Sequence, residues 1–142
     1  MVLGGIFLAI LLVGIAFYGY TALSGKSLDR ESKAWVDKIV PEVVSSWDSQ
    51  KLIDNGSSEF LQVSSTENIK AGFSQLVDQF GSMKTYVESK GEAGIHLNNF
   101  SQTITAEYTA EVQFEKGTAE IYIQGIKENN QWKVRNFQVS KK

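Results

Sequence analysis

The side chains with the most evident chemical potential are carboxylates that recur along one segment of alternating residues. Glu107, Glu111 and Glu115 share one phase of this segment, and Glu120 continues it in the next segment. Paired carboxylates can act as general acid and base where burial or neighbouring charge perturbs them. These four lie on the phase opposite the apolar residues, which predicts the solvent side of a sheet. We therefore expect no catalytic residue among them.

Tyr108 is the polar residue best placed for a site, because it lies on the apolar phase of the same segment. Its hydroxyl could enter a cavity, although a buried tyrosine is more often a core residue with one satisfied hydrogen bond. Trp47 and Phe73 lie on helical stripes directed at the same core and would line such a cavity. His96 has no neighbouring serine or aspartate in a triad arrangement, and we assign it no role.

Composition excludes several classes of function. Among the 142 residues there is no cysteine and one histidine, which removes thiol chemistry, disulfides and the usual zinc ligand sets. The net charge of −2 with interspersed signs argues against a nucleic-acid partner. No phosphate-binding glycine loop or nucleophile elbow occurs. We expect no cofactor and no metal.

Charge is distributed very unevenly along the chain. All 14 Lys and Arg and all 16 Asp and Glu lie from Lys26 onward. The uncharged leader, residues 1–25, contains an apolar run of about 22 residues, which as a helix would span the roughly 30 Å hydrocarbon layer. A cleaved signal peptide with a site at Ala22-Leu23-Ser24 is the alternative. The length of the run and the absence of a preceding cation favour a retained single-pass anchor, followed by one domain over residues 26–142.

One face of the predicted membrane helix is lined by small residues. They recur at helical spacing and would let a second helix approach closely. The candidate contact face consists of Gly5, Ala9, Ala16 and Gly19.

Helical patterns come first in residues 26–142. An apolar stripe runs from Trp35 to Trp47 and keeps its phase across Pro41, so a kinked helix and two abutting helices both fit. Asp48 predicts the start of a short helix, and Ser65 or Thr66 predicts the start of a longer one that ends at Gly81.

From residue 84 the apolar period becomes two. The patterns predict a long strand over residues 104–114, a turn at Lys116-Gly117, a second strand, a turn at 128–130 and a last strand. A change of phase predicts a bulge near Arg135-Asn136. Weaker strand patterns flank Gly91 and Gly94. Helices followed by an antiparallel meander indicate an α+β domain with the helices on one sheet face.

Three segments together resemble a known superfamily. They are residues 40–48, the strand and turn from Tyr108 to Ala119, and the ending from Trp132 to Val139. They are similar to membrane-anchored bacterial proteins of the nuclear-transport-factor-2-like, cystatin-like superfamily, many of them of unknown function. The resemblance implies a curved antiparallel sheet around N-terminal helices, with a cone-shaped hollow. It carries no catalytic residue over to this chain.

These observations predict a non-enzymatic, membrane-anchored accessory or interaction module, such as a small subunit of a larger membrane complex, that contacts lipid and binds a protein partner or a second copy. The alternative is a small-ligand binding or enzymatic domain that uses the cone cavity around Tyr108. Lys26, Arg30 and Lys33 follow the leader and favour a cytoplasmic domain by the positive-inside tendency. The resemblance favours the outside, and we expect an extracytoplasmic, periplasmic domain.

Overall fold

The computed structural model describes residues 8–9, 20–21, 25–98 and 101–142. Two short strands, β1 (Leu8–Ala9) and β2 (Tyr20–Thr21), come first. The helices are α1 (Gly25–Val44), α2 (Ser49–Asp54), α3 (Ser58–Val63) and α4 (Thr66–Phe80). The long strands are β3 (Met83–Asn98), β4 (Ser101–Phe114), β5 (Gly117–Glu128) and β6 (Gln131–Lys141). The α+β class predicted from the sequence is confirmed.

The four long strands form an antiparallel meander, and the two short strands extend it at its edges. The strand order is β1-β6-β5-β4-β3-β2. Leu8 pairs with Val139 on the β6 edge, and Tyr20 pairs with His96 on the β3 edge.

The leader was expected to be a continuous membrane helix. Leu8–Ala9 and Tyr20–Thr21 instead have strand conformation, so the helix prediction is wrong at these four residues, whose backbones pair with the sheet edges. The rest of the predicted span, including Gly5, Ala16 and Gly19 of the candidate contact face, lies outside the described residues, and Ala9 is in β1. Among the residues described, no helix is both long enough and apolar enough to cross a membrane.

The helix ends follow the predicted capping residues. Asp48 accepts hydrogen bonds from the backbone N–H groups of Gln50 and Lys51 at the start of α2. Ser65 accepts from the N–H of Asn68 at the start of α4, and Gly81 ends α4 with a φ of 76°. Pro41 lies inside α1. Of the two alternatives at Pro41, the structure therefore has one helix, not two.

The last strands also follow the pattern. Asn129 and Asn130 both have positive φ, 51° and 66°, which is the geometry of a tight hairpin turn matched to the strand twist. Gln124 pairs with Asn136 and Gly125 with Val134, so Arg135 is the extra residue of a bulge. The bulge predicted from the change of phase is confirmed.

The helices and the inner face of the sheet enclose the core. Part of it is an aromatic cluster: Trp47 lies 5.0 Å from Phe114, 5.7 Å from Phe73 and 6.1 Å from Phe80, measured between ring centroids. The indole N–H of Trp47 donates to the carbonyl oxygen of Gly81 at 2.7 Å. A buried Trp can be accommodated here because its one polar group is satisfied.

Candidate functional site

The inner side of the sheet around Tyr108 is occupied by α1. The Tyr108 hydroxyl donates to the carbonyl oxygen of Asp29 at 3.0 Å and shares a hydrogen bond with Ser32 Oγ at 2.8 Å. Burial is the main cause that raises the pKa of Tyr108. The hydroxyl thus stays protonated and joins β4 to the first turns of α1.

The three predicted cavity residues are not brought together. Trp47 and Phe73 contact each other in the aromatic part of the core, beside Phe114. Tyr108 is six residues away from Phe114 along β4, which is about 20 Å at strand spacing. Of the three, Tyr108 alone borders the cleft described below, and that cleft opens on the face of the sheet away from the helices.

A polar cluster that sequence reasoning missed joins α1 to β3. Both Tyr86 and Ser89 donate to Asp37 Oδ1 at 2.6 Å, and Lys33 Nζ lies 3.1 Å from Asp37 Oδ2. Burial opposes ionisation of Asp37, yet hydrogen bonds from Ser89, Tyr86 and Lys33 outweigh it and lower the pKa of Asp37. Burial and the adjacent carboxylate raise the pKa of Tyr86. No short-range sequence pattern predicts this cluster, because its helix and strand members lie about fifty positions apart in the sequence.

Within this cluster, Lys33 Nζ lies 2.9 Å from Ser89 Oγ, a pairing that can activate a serine nucleophile. Here the Ser89 hydroxyl donates its proton to Asp37, and Ser89 is only 4% exposed. A substrate could not reach the oxygen. The cluster therefore holds α1 on the sheet.

A cleft lies on the face of the sheet turned away from the helices, which we call the outer face. It has a volume of about 560 Å³. Its lining residues come from the middle of β3, β4 and β5: Lys90, Gly91, Glu92, Glu107, Tyr108, Thr109 and Tyr122.

Two features fix the geometry of the cleft. The Tyr122 hydroxyl donates to Glu107 Oε1 at 3.2 Å, and burial together with the Glu107 charge raises the pKa of Tyr122. Tyr122 is therefore a hydrogen-bond donor at any ordinary pH. Gly91 lets β3 approach β4 closely, since a Cβ atom there would collide with the Glu107 carbonyl and lie 2.7 Å from Tyr108 Cα.

Beside the cleft, four polar side chains form one row across the outer face. Glu92 pairs with Glu107, Glu107 with Gln124, and Gln124 with Asn136. Gln124 is 1% exposed and Asn136 is 7% exposed. Among the described residues, neither the Gln124 amide nor Asn136 Oδ1 has a hydrogen-bond partner. We call these residues the Glu92–Asn136 row.

The sequence phase places this row on the outer face but gives no sign that half of it is buried. Glu115 and Glu120 are exposed as predicted, and Glu107 and Glu111 are half-buried.

Across residues 25–98 and 101–142, no group of three or more histidine, cysteine or carboxylate side chains is placed to hold a metal ion. The cleft and the Glu92–Asn136 row together offer hydrogen-bonding groups and negative charge to a ligand or partner.

Comparisons of the chain with family models, with curated proteins and with solved structures found no match.

Proposed function

We propose that this chain is a membrane-anchored accessory protein whose outer sheet face binds a partner protein. The observation that carries the proposal is the Glu92–Asn136 row. Its two carboxylates, the exposed Glu92 and the half-buried Glu107, line an open cleft, and the buried amides of Gln124 and Asn136 continue the row on the next two strands. The proposal assigns no catalysis to the domain.

The argument for the kind of partner is electrostatic and rests on the two carboxylates that a partner can reach: Glu92 is exposed and Glu107 is half-buried. Glu92 and Glu107, directly opposite each other, repel and favour a partner with a positive charge.

The anchor is supported by the composition of the leader. Twelve of its residues are Leu, Ile, Val or Phe. Each favours the bilayer by about 0.3–0.6 kcal/mol, so together they contribute about 4–7 kcal/mol. The pairings of Leu8–Ala9 with β6 and of Tyr20–Thr21 with β3 hold two residues each, and each backbone hydrogen bond contributes only about 0.5–1.5 kcal/mol net. We therefore expect a bilayer to displace both pairings.

We also propose that the domain belongs to the nuclear-transport-factor-2-like, cystatin-like superfamily. The support is an antiparallel meander that carries N-terminal helices on one face. In that family fold the interior of the cone can serve as a pocket. In this chain the inner side is filled by the α1 contacts of Tyr108, which is why we place binding on the outer face.

Photo-crosslinking in native membranes tests the partner surface. We would place benzoyl-phenylalanine at Thr109, an exposed residue of the cleft lining, and at Glu67, an exposed residue of α4, as the matched control. We expect one adduct of defined mass from the Thr109 variant and none from the control. A mass of twice the chain identifies a second copy. Equal labelling at both positions, or none, contradicts the proposal.

A second candidate function rests on the size of the cleft. A volume of about 560 Å³ lies in the usual range of small-molecule pockets, and Glu107 and Tyr122 converge in it. This candidate predicts no protein adduct at Thr109 and a small molecule that is retained in native mass spectrometry and lost from the Glu107→Gln variant.

The extracytoplasmic location is tested with reporters fused after Lys142, which ends the chain at the opposite end of the sheet from the start of α1. Active alkaline phosphatase with dark green fluorescent protein supports it. The reverse pattern places the domain in the cytoplasm.

A further inference from the structure

Two carboxylates of the cleft lie opposite each other on neighbouring strands. Glu92 of β3 and Glu107 of β4 are register partners, and both line the cleft. Side chains in this relation have Cβ atoms about 4.5–5.5 Å apart. Among the described residues, neither carboxylate takes part in an ion pair. Like charges directly opposite each other destabilise a sheet, so this pair costs the free domain some of its stability.

Lys90, a cation in the cleft lining, is paired with a different carboxylate. It lies two residues before Glu92 on the same face of β3. Its Nζ lies 3.5 Å from Glu88 Oε2, and Glu88 is the neighbour of Lys90 on the side away from Glu92. The charge of Lys90 is therefore directed at Glu88, and the repulsion between Glu92 and Glu107 remains.

The two carboxylates are presented in different ways. Glu92 is exposed, whereas Glu107 is half-buried. The hydroxyl of Tyr122 donates to Glu107 Oε1, which positions this carboxylate and leaves Oε2 without a hydrogen-bond partner among the described residues. Tyr122 also lines the cleft, so its ring lies beside the carboxylate that its hydroxyl holds. A ligand in the cleft therefore meets one positioned acceptor, one exposed acceptor and an aromatic ring.

A guanidinium group fits this set better than an ammonium group. It is planar and carries five N–H donors in a fixed fork, so it can bond two carboxylates at once. It is more weakly hydrated than an ammonium group, which lowers the cost of bringing it to the half-buried Glu107. It also stacks on aromatic side chains, and the cleft provides the ring of Tyr122. A volume of about 560 Å³ leaves room for a whole arginine side chain.

The form of the cleft indicates that the guanidinium group belongs to a protein. Small-molecule sites usually bury about 70–90% of the surface of their ligand. In this cleft Lys90, Glu92 and Thr109 are themselves exposed, so a ligand is covered on one side only. A side chain that its own protein holds in place does not need to be enclosed.

We propose that the cleft is an arginine-binding site, in which an arginine of the partner protein bonds Glu92 and Glu107 beside the ring of Tyr122. The inference rests on the proposed function, because it assigns the arginine to the protein that binds the outer face. The bound guanidinium group removes the repulsion between the two carboxylates. Binding and the release of this repulsion are therefore coupled, and both depend on the same pair.

Titration of the purified full chain with single-side-chain probes tests the chemistry of the site. The probe is Nα-acetyl-arginine methylamide, which has no charged termini. The citrulline derivative has the same shape without the charge, and the lysine derivative has the charge without the fork. Amide chemical shifts of the isotope-labelled chain report binding and its place in the sheet. We expect shifts around Glu92, Glu107 and Tyr122, and binding of the arginine derivative about tenfold tighter than that of the citrulline derivative.

Glutamine variants test the role of the two carboxylates. Glu92→Gln and Glu107→Gln should each weaken binding of the arginine derivative about tenfold. Glu120→Gln, at an exposed position on the same face of β5, is the matched control and should leave binding unchanged. Glu92→Gln should also raise the urea midpoint, because it removes the repulsion, so weaker binding by this variant cannot be the result of poorer folding.

Three results of the titration would overturn the inference. They are equal affinity for the arginine and citrulline derivatives, an affinity for the lysine derivative as high as that for the arginine derivative, and unchanged binding by both glutamine variants. Absence of binding by all three probes also overturns it.

The crosslink at Thr109 separates this inference from the proposed function. We would compare the yield of the adduct with and without the double substitution Glu92→Gln/Glu107→Gln, and expect the yield to fall about tenfold. An unchanged yield means that the partner binds the outer face without an arginine in the cleft, which overturns the inference and leaves the proposed function in place. If the arginine derivative binds but the chain forms no adduct at Thr109, the ligand is a free guanidinium compound, and both the proposed function and the assignment of the arginine to a partner protein are wrong.

Discussion

The indole ring of Trp35 lies directly over Gly125: a Cβ atom on Gly125 would be 2.6 Å from Cζ3 of the ring. Trp35 in turn stacks on Trp132 at 5.9 Å between ring centroids. The indole N–H of Trp132 donates to Glu31 at 2.9 Å, and Lys127 pairs with the same carboxylate. Because Gly125 has no side chain, Trp35 of α1 can lie against β5 and also stack on Trp132 of β6. These contacts hold α1, the helix that follows the leader, in place on the sheet.

Gly125→Ala should therefore lower the free energy of unfolding. The added methyl group must displace Trp35, and overpacking of this kind costs about 1–3 kcal/mol. Urea denaturation measures the change. In the double variant Gly125→Ala/Trp35→Leu, the smaller side chain makes room, so the combined loss should be less than the sum of the two single losses. Additive losses would show that the two residues do not contact each other.

Sequence patterns were sufficient for most of the fold, because the decisive signals were local. The caps Asp48 and Ser65 bond within three residues of themselves. The bulge at Arg135 follows from a shift of apolar phase within one strand. The short helix α3 was not predicted: it has six residues, as α2 does, but its cap Ser57 directly follows the turn signal at Asn55-Gly56 and was not recognised as a helix start.

The strand β3 was predicted as two weaker segments, because Gly91 and Gly94 looked like interruptions. It is one strand of 16 residues. Gly91 is required by the close approach of β4, which no feature of the β3 sequence reveals. The same limit applies to the cluster of Asp37, Tyr86 and Ser89, since the relative positions of α1 and β3 depend on the whole domain.

Asp37 should make the stability of the domain depend on pH. Its pKa is lower in the folded state, so its contribution is present above the unfolded value of about 4 and is lost as the pH falls through the folded value. At neutral pH, Asp37→Asn should cost about 1–2 kcal/mol, because three donors lose a charged acceptor in a half-exposed site. Urea denaturation from pH 7 to pH 3 should show this difference shrinking as the pH falls. Asp78→Asn, on the exposed side of α4, is the control and should change little at any pH. A difference for Asp37→Asn that is constant with pH would contradict the assignment.

The domain should fold without the leader. Among the residues that the structure describes, the core runs from Val36 to Val139 and draws on all four helices and all four long strands. A chain that begins at Lys26 should be soluble and should unfold in one cooperative thermal transition. Aggregation, or a scan without a transition, would show that the leader completes the core. Replacing Leu8–Ala9 by Ser-Ser in the full chain is the matched control, and it should leave the transition unchanged.

Two tyrosines on neighbouring strands should separate stability from binding. Tyr108 faces α1, and its hydroxyl contacts Ser32 and Asp29. Tyr108→Phe removes a buried pair of hydrogen bonds and should cost about 1–2 kcal/mol in urea denaturation. Tyr122 faces the cleft, and its hydroxyl contacts Glu107 alone among the described side chains. Tyr122→Phe should change the free energy of unfolding by under about 1 kcal/mol.

Of the same two variants, only Tyr122→Phe should affect the crosslink at Thr109. Tyr122→Phe removes a donor from the cleft and should weaken the adduct, whereas Tyr108→Phe should leave it unchanged in membranes at temperatures where the protein is folded. If Tyr108→Phe abolished the adduct while stability stayed the same, binding would take place on the inner side of the sheet. If neither variant altered the adduct, Thr109 would border the interface without the cleft taking part in it. The pair therefore decides which face of β4 binds the partner, using two substitutions that each remove a single oxygen atom.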